Sequence, residues 1–173
     1  SGFALSANSH RISKVDADAD GAFHLQFSVT PDADARKVNF DLLNAAGETL
    51  KCYLDLEKQR IVMDRTEAGV TDLNRHGQPY NLHEREADEH RKIYSVNYQN
   101  DWALGTWAPL NLCKGISYLI DIYVDKCSVE MFVDGGRIAM TNLVFPSKGF
   151  DAVEFAAQGK AKVSDVVVNQ LGK

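Results

Sequence analysis

The chain has 173 residues, 45% of them hydrophobic and 25% charged, which suits one water-soluble domain able to bury roughly 70% of its unfolded surface. Nineteen Lys and Arg against twenty-four Asp and Glu leave a formal charge of -5, with the cations scattered along the chain. Nucleic acid and anionic membranes, which demand clustered cations, are thereby excluded as partners, and no apolar run approaches the roughly 18 residues of a membrane span.

At the amino terminus Ser1 is not followed by a charged and then apolar segment, so the chain reads as processed or excised. Asp16-Ala17-Asp18-Ala19-Asp20-Gly21 matches the first half of an EF-hand loop. The position that needs a bidentate Glu is Phe27, however, and the flanks have a strand period, so an acidic hairpin loop is expected. Period-two alternation then predicts strands at Phe23-Leu25-Phe27-Val29, Val38-Phe40-Leu42, Cys52-Leu54-Leu56 and Ile61-Met63. Turn-formers separate them, as at Thr30 to Asp34, Asn44 to Gly47 and Glu67 to Gly69. The polar stretch from Asn74 to Lys92 loses the β period and is expected to form a long surface loop.

Alternation resumes at Ile93-Ser95-Asn97, at Ile116 through Val124, and at Val129-Met131-Val133. It continues at Ile138-Met140-Asn142-Val144 and Val163-Asp165-Val167. Helical spacing is nowhere sustained. Many short alternating strands with frequent turns predict an all-β fold, a two-sheet antiparallel β-sandwich occupying residues 1–173 as a single domain.

Candidate chemistry concentrates between Val124 and Arg137, where Asp125, Glu130, Asp134 and Cys127 lie close in sequence. Asp125 and Asp134 fall at strand ends beside small or polar residues and read as turn residues, with Asp134-Gly135-Gly136 supplying positive φ for a tight primed turn. Glu130 and Asp134 would be about 13 Å apart along an extended strand, beyond the roughly 5 to 9.5 Å of a glycosidase acid pair. Three cysteines (Cys52, Cys113, Cys127) lack a metal or disulfide pattern, and five histidines (His10, His24, His76, His83, His90) lack ligand spacing. No catalytic residue, metal site or cofactor is expected, and no compartment can be assigned.

The run from Trp107 to Pro146 resembles the C-terminal β-sandwich of glycoside hydrolase family 32, the invertases, inulinases and levanases. It shows an A-P-L element, a strand ending in Val124-Asp125, then Ser128-Val129-Glu130-Met131-Phe132-Val133, an Asp134-Gly135 turn and a strand closing on Phe145-Pro146. Upstream, Met63-Asp64-Arg65-Thr66-Glu67-Ala68-Gly69 is similar to the family's L-D-R-S-x-S-G element. The resemblance implies a concanavalin A-like, jelly-roll sandwich and a parent enzyme acting on β-fructosides such as levan, inulin or sucrose. In such enzymes catalysis belongs to an N-terminal five-bladed β-propeller whose motifs are absent here. The module is therefore expected to pack on that propeller in cis and stabilise it, and in some members to shape substrate access or form a homodimer. An extracytoplasmic setting is compatible with such a parent.

The face carrying Leu119, Tyr123, Glu130 and Phe132, together with Asp121 and Leu143, mixes apolar and acidic groups and is the expected domain interface. The alternative occupant is the module's own long loop. A second function, an autonomous carbohydrate-binding module, would use aromatics such as Tyr94, Tyr98, Trp102 and Trp107 as a sugar platform for fructan or oligosaccharide, although large aromatics more often lie in cores.

Overall fold

The computed structural model describes residues 1–7, 9–71 and 103–171. The strands are β1 (Gly2–Leu5), β2 (His10–Lys14), β3 (Phe23–Pro31), β4 (Lys37–Leu43), β5 (Thr49–Asp55) and β6 (Arg60–Glu67). They continue as β7 (Gly105–Pro109), β8 (Tyr118–Val124), β9 (Ser128–Val133), β10 (Ile138–Leu143), β11 (Ala152–Gln158) and β12 (Ala161–Gln170). No helix occurs among the described residues. Two six-stranded antiparallel sheets result: sheet A in the order β1-β12-β3-β8-β9-β10 and sheet B in the order β2-β11-β4-β5-β6-β7. This is the predicted sandwich.

The alternation explains the layering. Along β3, Phe23, Leu25, Phe27 and Val29 are buried while His24, Gln26 and Ser28 turn to the other side. The inward rows of both sheets form one apolar core. Its centre is aromatic: Phe27 of sheet A meets Phe40 and Phe155 of sheet B edge-on, at 5.2 and 5.0 Å between ring centroids. Buried Asn142 of β10 adds a polar tie, donating to Met63 Sδ and to Thr106 Oγ1, so that the β10 edge of sheet A is fastened to β6 and β7.

The two sequence elements that carried the family resemblance meet in space. Arg65 Nη1 donates to the Leu143 carbonyl, and the Val70 amide donates to the Phe145 carbonyl. Asp64 Oδ1 accepts from both the amide and the hydroxyl of Thr66, fixing the bend at the end of β6. Gly69, at φ +118°, lies directly against the backbone of Phe145 and Pro146.

Three local expectations require correction. Ile116 stands outside β8 and is 53% exposed, because the strand begins at Tyr118 after a turn at Gly115. The alternation Val163-Asp165-Val167 breaks at a β-bulge: the register shifts between Ser164 and Val167, and Asp165 takes φ +54°. Val166 and Val168 face the core in consequence, and Val167 is exposed. The β9–β10 hairpin closes through the four residues between paired Val133 and Ile138, a longer loop than a two-residue primed turn, with Asp134, Gly135 and Gly136 all at positive φ. Strands β1, β2, β7 and β11 have no counterpart among the strands read from the sequence. Ile93-Ser95-Asn97 and the whole Asn74 to Lys92 loop lie outside the described residues.

Candidate functional site

The outer face of sheet A is built by the side chains that alternation leaves over. Register places Gln26 of β3 beside Asp121 of β8, and Asp121 beside Phe132 of β9. The next rung runs His24, Tyr123, Glu130. Leu119, Tyr123, Glu130 and Phe132 are thus brought together, and with Gln26, Asp121 and Gly135 they line a groove of about 610 Å³. An adjoining groove of about 490 Å³ shares Tyr123 and Glu130 and adds Asp18, Asp20 and Asp125.

Asp121 forms the floor. Only 8% exposed, its carboxylate Oδ1 lies 2.7 Å from His24 Nε2 and accepts from Gln26 Nε2 at 2.8 Å. Its Oδ2 makes no hydrogen bond with any described residue. Behind it, His24 Nδ1 faces the Asn169 side chain at 3.4 Å. The His24 ring stacks on Tyr123, with centroids 4.3 Å apart and planes 11° apart, and Phe132 meets Tyr123 edge-on at 81°. Glu130 is exposed and has no hydrogen bond or ion pair among the described residues. Tyr123 is 37% and Leu143 53% exposed. The face thus sets an apolar rim around carboxylates.

The turn aspartates behave as the sequence indicated. Asp134 Oδ1 accepts from the Leu119 amide, and its Oδ2 pairs with Arg137 at 2.9 Å. Asp125 Oδ1 accepts from the Lys126 amide while its own amide donates to the Ser128 carbonyl. In the acidic loop, Asp18 Oδ1 accepts from the amides of Asp20 and Ala22, closing a local turn. The cysteines are unpaired, with Cys52 buried and Cys113 and Cys127 exposed.

Of the aromatics expected to form a sugar platform, Trp107 alone lies among the described residues. Trp107 lies on β7, on the outer face of sheet B opposite Val62, and is 58% exposed, with the Arg60 guanidinium 5.6 Å from its ring centre. Trp102, Tyr98 and Tyr94 lie outside the described residues. Conversely, Gln26 and Asn169 escaped the sequence reading, which named His24 only as a histidine without ligand spacing. Their signal was the outward register of β3, which becomes informative only when β8 and β12 are known to flank it.

Comparison with known families gives a match to the model for "Glycosyl hydrolases family 32 C terminal" over residues 3–170. The chain belongs to this family. It is 22% identical over 170 residues to a levanase of Bacillus subtilis, covering 98% of this chain and 21% of that protein. With a fructan beta-fructosidase of Streptococcus mutans it shares 26% identity over 143 residues, 82% of this chain and 8% of that one. The exo-inulinase of Aspergillus awamori has a similar fold, with a TM-score of 0.61 at 21% identity over 96% of this chain and 28% of that structure. This family 32 C-terminal domain therefore spans about a fifth or less of the curated relatives it matches.

Proposed function

We propose that this family 32 domain is the non-catalytic partner module of a β-fructoside hydrolase acting on levan, inulin or sucrose, and that it turns the outer face of sheet A toward an N-terminal catalytic propeller. One observation carries the reading: Leu119, Tyr123, Phe132 and Leu143 share a face with Asp121 and Glu130, and no described element covers it. The match of relatives several times longer supports a second domain in the same chain. Docking there would stabilise the propeller, and the groove's rim would border the route to its substrate.

Phe132→Asp in the complete enzyme tests the assignment, because it places a charge in the middle of the face without touching the inward row of β9. The catalytic domain is expected to melt several degrees lower and to lose activity in proportion. Unchanged melting and activity would reject the interface.

A second reading, sugar binding by the module itself, is favoured by the exposure of Trp107. Calorimetric titration of the chain with levan, inulin and short fructo-oligosaccharides separates the two, since saturable heat lost in Trp107→Ala supports the sugar site. Association into a homodimer through the same face would show as a concentration-dependent mass that Phe132→Asp abolishes.

A further inference from the structure

We infer that the groove on the outer face of sheet A seats a guanidinium, the side chain of an arginine presented by the domain that meets this face in the complete enzyme. The inference rests on the interdomain reading of the face and names what that contact must supply.

Charge is the first argument. Asp121 and Glu130 line the groove, Asp18, Asp20 and Asp125 line its neighbour, and no Lys or Arg lines either among the described residues. Asp121 is nearly buried, yet the groups that touch its Oδ1 are a glutamine amide and an imidazole nitrogen, and its Oδ2 is unbonded among the described residues. A carboxylate removed from water in this way gains most from a cation at close range. Glu130, one strand away, offers a second carboxylate with no partner among the described residues.

Shape is the second argument, and it separates a guanidinium from a sugar. A sugar ring stacks on a broad aromatic face lying open to solvent. Here one face of Tyr123 is covered by His24, and Phe132 presents its ring at 81° to the tyrosine. What remains is a slot beside an aromatic face with acid on its floor and flank. A planar guanidinium fits such a slot, lying against the Tyr123 ring while its fork donates to carboxylate oxygens. Its weak hydration and fixed donor geometry favour arginine over lysine.

Arginine-selective labelling with phenylglyoxal, read by peptide mass spectrometry, tests this in the complete enzyme. Wild type is compared with Glu130→Gln, Asp121→Asn/Glu130→Gln and Phe132→Asp. One arginine of the facing domain should be shielded in wild type and react about tenfold faster in the acid variants, as loss of a partly buried charge pair would give. Glu130→Gln carries the test if the double variant folds poorly, and unaltered melting of the Glu130→Gln chain alone confirms an intact sandwich. If Phe132→Asp undocks the domains but the acid variants leave arginine reactivity unchanged, the face reading stands and the arginine seat is refuted. If no arginine is shielded in wild type and Phe132→Asp has no effect, both fail. Heat from nystose titrated into the chain alone, lost in Asp121→Asn, would assign the groove to sugar and overturn the inference.

Discussion

Burial pushes the Asp41 carboxyl up from its ordinary 3.8 to about 6, on the outward side of β4. Hydrogen bonds from the Asn39 side chain and the Cys52 amide and the charge of Lys37 oppose the rise, and Glu154, directly across the sheet, adds to it. Between those two pH values the folded chain keeps a proton that the unfolded chain has released, so this group makes stability fall as pH rises from 3.8 to about 6. Above that window the loss is complete, at roughly 3 kcal/mol. Asp41→Asn keeps the oxygen that accepts from Cys52 and removes the ionisation. Urea midpoints across that range should flatten in the variant and rise above wild type at neutral pH, whereas parallel curves would contradict the assignment. Composition hides such a residue, and the alternation that put Asp121 on the outer face of sheet A likewise left its partners unseen. Glu130 drew attention through its neighbours along the strand, while the importance of Asp121 comes from His24 and Gln26, residues 97 and 95 positions away. Spacing along a chain reports contacts within a strand and says nothing of the strands that flank it.

At the scale of elements, the sequence was legible wherever a strand is apolar on one face and polar on the other. Strands β3, β4, β5, β9 and β10 have this pattern, and their inward rows were read correctly. It failed at the ends of the sheets and at irregularities. Strand β2 is an edge with every residue exposed or half-buried, so it has no apolar alternation to detect. The bulge in β12 inverts the facing of Val167 by inserting Asp165, an event that no two-residue period can encode. The Asp64 to Gly69 element was legible as a motif, and the structure supplies its reason. Gly69 lets the chain pass flush against Phe145 and Pro146: a Cβ there would meet the Phe145 carbonyl oxygen at 2.3 Å, with backbone on both sides unable to yield, at a φ that side chains resist. Gly69→Ala should destabilise the chain by roughly 2 kcal/mol or more, seen as a lower urea midpoint. An unchanged midpoint would mean that the β6–β10 junction is slack. By comparison Gly47→Ala meets no atom within 4 Å and carries only the cost of its positive φ.

For the whole molecule, the sandwich packs its inner faces into one core and leaves the outer face of sheet A open among the described residues, and this division bears on catalysis. Distance along β9 excluded Glu130 and Asp134 as an acid pair, yet register sets Asp121 diagonally from Glu130, roughly 7 Å apart by the geometry of neighbouring strands. That separation lies within the glycosidase window, so distance alone does not dispose of an unaided hydrolase. Enclosure does. Glycoside cleavage needs a carboxylic acid in a water-poor setting, a second acid free to attack or to activate water, and donors that hold the sugar between them. In this groove Glu130 stands exposed on the rim, and Asp121 has one oxygen committed to His24 and Gln26. The walls are apolar Leu119 and Phe132 on an open sheet face, and no described element encloses the pair. The chain alone is therefore expected to release no fructose from levan, inulin or sucrose, measured as reducing sugar over days at high protein concentration. Release that disappears in Glu130→Gln would show that the face holds an active site, and would displace the docking role argued for it. No release, together with lowered melting of the complete Phe132→Asp enzyme, would locate the chemistry in the partner and the affinity for that partner in this groove.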